Sequence, residues 1–472
     1  MNRRSFLKNS GIALTAGSMM PSLVGAQSPQ LAEEFGSKKA KNIIFMVSDG
    51  MSLGTLAMTD TFLQRKYGKG SQWLSLYKNR EVMRSLMDTA SASSLVTDSA
   101  AGSSSWGGGV RVNNGSLNVG PDGTPYLPIL QKFKKKGKKV GCVTTVPITH
   151  ATPAGFCINA ASRNSQSDIA DMYLKLRFDV MMGGGLDYFT ADKRKDGKDM
   201  LSEFERNQFK VVRNRSALLA LKTQQELIGV FDRDGLPYSI DRQQDATQSA
   251  QIPTLAEMAQ KAIECMAAHP EGFVLQVESG KVDWAAHGND IAALIHEQIA
   301  FDLAIEVVMD FARKNKDTLV IITTDHGNAN PGLIYGKEAN ANFDRLQTFD
   351  HTNEWLLNAI HADSSSLYVQ ELFKKHQQIE LNNDEAKQIL GYYTGLEKEE
   401  AGGLYNYKKL PYKYVAELQK KHTSVGWISM DHSGDFVELA AFGPGSDKLP
   451  AFVKNTDLHT FMLDAAEIEN KF

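Results

Sequence analysis

The chain has 472 residues, of which 42% are hydrophobic and 23% are charged. This length allows a large buried core in one or two domains, and the ordinary apolar content excludes an intrinsically disordered chain. The 52 basic and 55 acidic residues give a net charge of -3, which excludes a generally basic nucleic-acid-binding protein.

The N-terminal residues 1–26 have the organisation of an export signal. Arg3, Arg4 and Lys8 are not accompanied by any acidic residue, and a weakly apolar stretch and a pair of small residues follow them. The paired arginines are typical of a twin-arginine signal, whereas an ordinary N-terminal helix would not explain them. We therefore expect an exported protein, periplasmic or otherwise outside the cytoplasm, that begins near residue 27.

Cysteine content and apolar runs set two further limits. Cys142, Cys157 and Cys265 are too few for a disulfide framework. In an exported protein a single disulfide between Cys142 and Cys157 is one interpretation, although two buried thiols are the more ordinary one. No run of about 18 apolar residues is present, so we expect no stable membrane span.

Short apolar runs alternate with helical patterns along the chain. The runs that predict buried strands are 42–47, 139–146, 272–277, 318–323 and 436–442, and helical patterns include 126–136 and 291–313. This alternation predicts a doubly wound α/β fold, with a mostly parallel sheet covered by helices on both faces. The stretch 328–421 has a largely helical pattern, and we expect a surface insertion there that roofs or flanks the site.

Acidic residues follow three of these predicted strands. The first run leads into Ser-Asp49-Gly, the third into Glu278-Ser-Gly, and the fourth into Thr-Asp325-His326-Gly. In an open α/β sheet, ligands bind outside the carboxyl ends of the strands. These side chains are therefore expected to converge on one metal or phosphate site, the alternative being turn and cap residues that are unrelated in space.

Two further residues strengthen the prediction of metal binding. Asp283 and His287 are four residues apart, so they would share one face of a helical turn. Together with Asp49, Glu278 and Asp325, Asp283 would complete a cluster of carboxylates that repel one another. Divalent cations remove that repulsion, and mixed histidine and aspartate ligands suit zinc.

A third histidine is needed to complete the ligand set. His432 is preferred because Ser-Gly-Asp leads from it into a predicted strand that would bring the imidazole to the same edge. His422 is the alternative, but it follows two lysines at the end of a polar helix, where a solvated histidine is ordinary. The remaining histidines (269, 296, 351, 361, 376 and 459) are interpreted as surface or core residues, His351 being the least clear of them.

A serine and an arginine are the candidate nucleophile and phosphate ligand. Ser99 lies in a run of small residues at the predicted start of a helix, where a serine is most often only an N-cap. The same position presents free N–H groups to an anion, and a divalent cation could activate the hydroxyl. Arg163, predicted on a helix of small residues, could bind two phosphate oxygens while Asp98 holds it; a structural Arg–carboxylate pair is the alternative.

Taken together, these motifs resemble those of the alkaline phosphatase family. They are Asp49-Gly-Met, Asp98-Ser99-Ala-Ala, His150-Ala-Thr152 with Arg163, Glu278 to His287, Asp325-His326-Gly and His432-Ser-Gly-Asp. The resemblance runs from about Asn42 to the C-terminus, although 187–250 and 330–425 contain no recognisable motif. It implies that residues 27–472 form a single catalytic domain of that family's α/β fold, with a helical insertion at about 328–421.

The resemblance also implies a site for three metal ions. One zinc ion would be held by Asp283, His287 and His432, and a second by Asp49, Asp325 and His326, with Ser99 as its fourth ligand. Asp49, Thr152 and Glu278, with His150 beside them, would form the third site, usually occupied by magnesium. Arg163 would bind the phosphate, with Asp98 and Trp284 also in the substrate site.

This chain departs from the family pattern at two positions. Many bacterial members have aspartate where this chain has His150 and lysine where it has Trp284, and animal enzymes have histidine at both. His150 could shift the third site towards zinc or cobalt. Trp284 removes a cationic contact to the phosphate.

The activity that the resemblance implies is hydrolysis of small phosphate monoesters through a phosphoserine on Ser99, with an alkaline pH optimum. A homodimer is usual for relatives and is expected here. A phosphodiesterase or sulfatase with similar ligands is one alternative, and an exported metal- or phosphate-binding protein without catalysis is another.

Overall fold

The computed structural model describes Phe35 and residues 38–222, 225–398 and 403–471. The predicted signal at residues 1–26 lies outside these described residues. The strands are β1 (Asn42–Ser48), β2 (Met83–Asp88), β3 (Lys139–Pro147), β4 (Val180–Gly184), β5 (Lys210–Val212), β6 (Leu227–Val230), β7 (Phe273–Ser279), β8 (Thr318–Thr323), β9 (Gly327–Asn328), β10 (Gly332–Leu333), β11 (Val425–Gly426), β12 (His432–Ser433), β13 (Val437–Phe442) and β14 (Phe452–Lys454).

Helices occupy most of the connections between these strands. In the first half they are Leu53–Tyr67, Gln72–Lys78, Ser99–Gly108, Ile129–Lys135, Ala151–Cys157, Gln166–Leu176, Met200–Arg206 and Arg215–Ala220. They continue with Ser239–Gln244, Ala246–Gln251, Leu255–Met266, Lys281–His287, Ile291–Lys314, Ala339–Asp344, Asn353–Ala359, Ser366–Gln377, Asn383–Gly391, Tyr412–Thr423 and Asp457–Ala465. None of the described helices has the length and apolar character needed to cross a bilayer.

Ten strands form one central sheet in the order β14-β2-β13-β8-β1-β7-β3-β4-β6-β5. The pairs β8–β1, β1–β7 and β7–β3 are parallel, and β13 is antiparallel to both of its neighbours, β2 and β8. Every residue of β1, β7 and β8 is buried, as expected for central strands that are covered on both faces. The predicted α/β fold with a mostly parallel sheet is confirmed.

The sequence predicted the five central strands of the sheet and missed the strands on either side of them. All five predicted runs are strands of the sheet, with bounds that differ by at most two residues. The strands that the sequence did not predict are β2, β4, β5, β6 and β14, and β14 follows the strand that was expected to be the last. Four of them have only three to five residues, and β2 (Met83–Asp88) alternates buried and exposed residues, so none contains a continuous apolar run of six residues.

The stretch predicted as an insertion is largely helical. It contains the helices from Ala339–Asp344 to Tyr412–Thr423, and it is bounded by the short antiparallel pair of β10 with β11. Two of its elements, Asn353–Ala359 and Tyr412–Thr423, face the rest of the molecule through residues that line the cavity described below.

The buried thiols of Cys142 and Cys157 lie opposite each other, with a distance of 3.5 Å between the two Sγ atoms. Both are free thiols, and burial raises the pKa of Cys157 well above its ordinary value. The structure thus agrees with the interpretation of two buried thiols.

A close contact between two helices depends on Gly155. A Cβ atom added at Gly155, in helix Ala151–Cys157, would lie 2.0 Å from Ser103 Oγ in helix Ser99–Gly108. We expect Gly155→Ala to lower the free energy of unfolding by about 2 kcal/mol or more, since the helices would have to separate. Urea denaturation measures the change. Gly391→Ala is the matched control, because a Cβ at that helical glycine meets nothing within 4 Å, and an equal loss in both variants would contradict the explanation.

Candidate active site

The predicted site residues converge at one edge of the central sheet. Asp49 follows β1, Glu278 lies at the end of β7, and Asp325 and His326 follow β8, so all four lie at the carboxyl ends of parallel neighbours. His432 reaches the same edge by a different route. Because β13 is antiparallel to β8, the residues that precede β13 lie beside the residues that follow β8.

The first ligand group, the His326 group, consists of Asp49, Asp325 and His326, all of them fully buried. His326 Nε2 lies 3.3 Å from Asp325 Oδ2 and 3.6 Å from Asp49 Oδ1. Ser99 Oγ lies 3.3 Å from the same Nε2 atom. The hydroxyl of Ser99 therefore lies beside the three side chains that were predicted to share a metal ion with it.

The second ligand group, the His432 group, consists of Asp283, His287 and His432. Asp283 and His287 lie on helix Lys281–His287, as their four-residue spacing predicted, with 3.5 Å between Asp283 Oδ2 and His287 Nε2. His432 Nε2 lies 3.1 Å from His287 Nε2 and 3.5 Å from Asp283 Oδ1. His422, the alternative, lies on helix Tyr412–Thr423 and belongs to no ligand group among the described residues.

The third ligand group, the Glu278 group, consists of Asp49, His150 and Glu278. Thr152 joins it by donating a hydrogen bond from Oγ1 to Asp49 Oδ2 at 3.3 Å. Thr144 was not predicted, yet its hydroxyl donates to Glu278 Oε2. It does so because the register of β3 and β7 pairs these two residues, and a register cannot be read from one sequence.

The imidazoles of the first two groups have their outer nitrogen atoms bonded to the backbone. His287 Nδ1 donates to the carbonyl oxygen of Met430 at 2.7 Å, and His432 Nδ1 donates to that of Thr97 at 2.8 Å. This arrangement fixes the ring orientation and leaves Nε2 with a lone pair towards the cluster, as is usual for metal-binding histidines.

The donors of the site fit divalent cations. Asp49 Oδ1, Glu278 Oε1 and Asp325 Oδ2 are buried oxygen atoms without a hydrogen-bond partner, as is His150 Nδ1. Buried polar atoms without a partner are costly, and a cation would satisfy the three oxygens directly. The donor set of carboxylates and imidazoles is the one that zinc prefers.

Most carboxyl groups of the cluster have raised pKa values, which is expected where buried negative charges lie close together. Burial, together with the charges of Asp325, Asp283 and Glu278, raises the pKa of Asp49 well above its ordinary value. Burial raises the pKa of Glu278 to about 7, and burial with the charge of Asp283 raises that of Asp325 to about 6. Asp283 is the exception, since three neighbouring imidazoles outweigh its burial and lower its pKa.

Ser99 occupies the first turn of helix Ser99–Gly108, as predicted. Asp98 is the N-cap, and its Oδ1 accepts a hydrogen bond from the Ala101 N–H at 3.0 Å. Gly102 allows the helix to approach the sheet edge, because a Cβ there would lie 3.2 Å from Asp325 Cβ. The N-terminal end of this helix thus points its positive dipole end at the cluster.

Arg163 reaches the site from a turn, so the prediction that it lies on a helix is wrong. Helix Ala151–Cys157 ends six residues before it, and the chain then bends back. Arg163 Nη1 donates to Asp98 Oδ2 at 2.9 Å, as predicted, and Nη2 lies 3.0 Å from His150 Nε2. Burial, with the adjacent charge of Arg163, lowers the pKa of His150 to about 3, so its imidazole is neutral.

A cavity of about 680 Å³ opens over the ligand groups. Ser99, His150, Arg163 and Trp284 line this cavity. The Trp284 ring lies edge-on to that of His150, with 6.1 Å between ring centroids. Residues of the inserted segment also line it, and they include Glu354, Asn358, Tyr405, Tyr407 and Tyr412. The inserted segment therefore forms one wall of the cavity.

Asn328 and Gly50 both lie against Asp283, and the sequence did not predict either contact. Asn328 Nδ2 donates to Asp283 Oδ1 at 2.7 Å. Gly50 has a φ of 70°, and a Cβ there would lie 2.5 Å from Asp283 Oδ1. The only sequence signal for Gly50 is its position after a strand-end aspartate, since glycine tolerates this backbone conformation.

Known proteins of one family match this chain over most of its length. A family model described as Alkaline phosphatase matches residues 40–468. Alkaline phosphatase 4 of Bacillus subtilis (strain 168) is 28% identical over 450 residues, which cover 94% of this chain and 92% of the relative. The crystal structure of Thermus thermophilus alkaline phosphatase has a TM-score of 0.84 and 31% identity, with 96% of each chain covered. That of the cold-active enzyme from a psychrophile, Shewanella sp., has a TM-score of 0.76 and 25% identity, and covers 90% of this chain and 99% of that chain.

The family model covers most of the chain, and the solved structures share its fold. The chain belongs to the alkaline phosphatase family and is a phosphomonoester hydrolase.

Proposed function

We propose that this chain is an exported alkaline phosphatase that hydrolyses phosphate monoesters through a phosphoserine formed on Ser99. The observation that carries the proposal is the position of Ser99 Oγ, 3.3 Å from His326 Nε2 at the start of a helix. A serine that served only as an N-cap would not require this position. Here Asp98 is the N-cap, which leaves the Ser99 hydroxyl available for chemistry.

The proposed ligand assignment follows the three groups. The His432 group would hold one zinc ion, and the His326 group would hold another with Ser99 nearby. The Glu278 group with Thr152 would hold the third ion, magnesium in the family pattern, with His150 favouring zinc or cobalt instead. Zinc ions bound by these residues would supply Lewis-acid stabilisation for negative charge on the serine and leaving-group oxygen atoms.

The residues of the chain would divide the remaining work. Ser99 Oγ, which has lost its proton to solvent, attacks phosphorus, the bond to the leaving oxygen breaks, and the alcohol leaves with a proton from solvent. Water, which also loses a proton to solvent, then attacks the phosphoserine; the P–Oγ bond breaks, Ser99 Oγ takes up a proton, and phosphate is released. Arg163, held by Asp98, binds two phosphate oxygens, and the N–H groups at the start of helix Ser99–Gly108 face the same anion. An alkaline optimum is expected because serine and water both react deprotonated.

Substrate preference tests the activity against its closest alternatives. The rates for phenyl phosphate, diphenyl phosphate and phenyl sulfate should be compared on the same preparation. We expect the monoester to be the best substrate, because the guanidinium of Arg163 suits a dianionic terminal phosphate. A preference for the diester or the sulfate would overturn the proposal, and a protein that binds phosphate without turnover would be a binding protein instead.

Arg163→Lys tests the proposed phosphate contact. Lysine keeps the charge but loses the two-pronged geometry, so we expect kcat/KM for phenyl phosphate to fall about 10- to 100-fold, mainly through KM. Inhibition by inorganic phosphate should weaken in parallel. Arg177→Lys is the matched control, since Arg177 pairs with Glu226 away from the site. Unchanged phosphate inhibition in Arg163→Lys would indicate a purely structural pair with Asp98.

Export is part of the proposal and rests on the N-terminal sequence. We expect residues 1–26 to direct transport through the twin-arginine route and then to be removed. Arg3→Lys combined with Arg4→Lys should retain the protein in the cytoplasm. Mass spectrometry of the periplasmic protein would locate the cleavage site, and export of the double variant would contradict this assignment.

The proposed homodimer is supported by exposed apolar side chains in and after the paired strands β10 and β11. Tyr335 and Ile428 are almost fully exposed, and Leu333 and Ile334 next to Tyr335 are also exposed. Exposed apolar patches of this kind usually mark protein contacts. Light scattering should give the mass of a dimer, and Tyr335→Ser with Ile428→Ser should shift it towards the monomer.

A further inference from the structure

A second kind of histidine and aspartate cluster lies outside the active site. This cluster, the His376 group, consists of Asp350, His351 and His376, which the sequence did not connect. Asp350 Oδ1 lies 2.8 Å from His351 Nδ1 and 2.9 Å from His376 Nδ1. The two imidazole rings are nearly perpendicular, with 4.7 Å between their centroids. Three candidate metal-ligand atoms from two separate chain segments therefore lie close together.

The backbone holds these segments in place independently of the side chains. Asp350 N–H donates to the carbonyl oxygen of His376 at 3.1 Å, which joins the start of helix Asn353–Ala359 to the end of helix Ser366–Gln377. The N-cap residue Thr352 is in turn bonded through its N–H and its hydroxyl to Asp241. A site of this kind needs little rearrangement on binding, because its framework is already fixed.

The burial of the three side chains suits a small cation. The side chains of His351 and His376 are 12% and 8% exposed, whereas that of Asp350 is 41% exposed. The imidazoles are thus shielded from solvent, and the Asp350 side offers an entry path and room for a water ligand. The Trp355 ring covers the other side, with centroids 3.9 Å from His351 and 4.9 Å from His376.

A hydrogen-bonded triad is the alternative explanation of the geometry. It would require both imidazoles to donate their Nδ1–H to a single carboxylate oxygen. Ligand atoms around zinc at about 2.0–2.1 Å would be roughly 3.3 Å apart, so Asp350 Oδ1 would have to move about 0.4 Å away from each of the two Nδ1 atoms. Rotation of exposed Asp350 can supply that change. Two histidines, one aspartate and a water complete a tetrahedral set that zinc prefers over magnesium or calcium.

We propose that Asp350, His351 and His376 form an additional site for a divalent transition-metal ion, zinc by its donor set. The ion would join the two helices at the point where Asn353–Ala359 begins. That helix carries Glu354 and Asn358, which line the cavity over the active site. The ion site stands independently of the proposed mechanism, and only its influence on the cavity wall rests on the proposed function.

Metal content tests the proposal on the purified full-length protein. After gel filtration in buffer without added metal, the variant His351→Ala with His376→Ala should contain one ion fewer per chain than wild type. His422→Ala is the matched control, because this histidine lies on the same inserted segment and in no ligand group among the described residues. The double variant should keep its activity on phenyl phosphate, which separates this test from that of the proposed function. Equal ion counts in the wild type and the double variant would overturn the proposal.

Cobalt absorption provides a second measurement without the active-site ions. A chain that carries Asp49→Ala and His432→Ala lacks a ligand in each of the three active-site groups, because Asp49 belongs to both the His326 group and the Glu278 group. This chain should still bind Co²⁺ with the visible bands of a tetrahedral site. Addition of His376→Gln, which keeps a polar side chain of similar size if alanine impairs folding, should abolish those bands. The absence of bands before this substitution, or their persistence after it, would show that the three residues form only a hydrogen-bonded cluster.

Discussion

Replacement of Ser99 by alanine is expected to lower kcat for phenyl phosphate by about 10³-fold or more. The substitution removes only one oxygen atom, so the ligand groups and the Arg163–Asp98 pair should remain in place. Substrate would still bind, but no side chain at this position could form the covalent intermediate. Direct attack by water, which the rest of the site would still favour, sets the residual rate.

Acid quenching during turnover distinguishes loss of the nucleophile from loss of structure. With ³²P-labelled phenyl phosphate, wild-type protein should retain label on a peptide that contains Ser99, and Ser99→Ala should retain none. Ser105→Ala is the matched control on the same helix, since Ser105 Oγ bonds only the carbonyl of Ala101. It should keep both label and activity. Normal turnover by Ser99→Ala would exclude a phosphoserine on this residue.

Much of the site could be predicted because its residues follow long buried strands. Asp49, Glu278 and Asp325 come directly after, or at the end of, apolar runs that are easily recognised. Neighbouring parallel strands bring their ends to one edge, so the convergence follows from the fold class. The pairing of Asp283 with His287 could be predicted equally well, because helical periodicity alone puts both residues on one face.

The parts that escaped prediction depend on register or on irregular backbone. The contact of Thr144 with Glu278 needs the β3–β7 register, and the contact of Asn328 with Asp283 needs the path of the chain after β8. Arg163 was assigned to a helix because small residues precede it, but the helix ends at Cys157. The turn at Arg163 depends on a tertiary contact, because the Arg163 N–H donates a hydrogen bond to the carbonyl oxygen of Gly115.

His432 shows how topology can support a prediction made for a local reason. It was chosen because Ser-Gly-Asp leads into a strand, without knowledge of the direction of that strand. A parallel β13 would have placed the preceding residues at the opposite edge of the sheet. The antiparallel pairing with β8 brings His432 onto the His326 ring, with a centroid distance of 3.7 Å.

Removal of the metal ions by chelation should abolish activity. It should also make the free energy of unfolding decrease as pH rises. In the metal-free protein, burial raises the pKa of Glu278 from 4.5 to about 7 and that of Asp325 from 3.8 to about 6. The folded state then binds more protons than the unfolded state between about pH 4 and pH 7. The contribution of these carboxyls to stability is complete below that window and is lost across it, by a few kcal/mol.

Binding of divalent ions should remove this dependence, because cations stabilise the charged carboxylates. Melting temperatures of the metal-free protein should therefore decrease between about pH 4 and about pH 7, and those of the metal-loaded protein should decrease much less. Only the difference between the two forms is diagnostic. Burial also raises the pKa of Asp290 to about 7 and that of Asp302 to about 6, and both contribute equally to the two forms.

Glu278→Gln separates this electrostatic effect from a general loss of structure. The amide keeps the size of the side chain but carries no charge, so the metal-free variant should be more stable than metal-free wild type at about pH 8. The metal-loaded variant should be less stable than loaded wild type, since the third ion loses a ligand. Asp302→Asn is the control, because Asp302 accepts from Gln72 and Trp73 away from the ligand groups and should alter both forms alike. If the metal-free protein gained stability between about pH 4 and about pH 7, the pKa values of these carboxyls would not be raised as their burial implies, and the case for a site built around cations would lose its electrostatic basis.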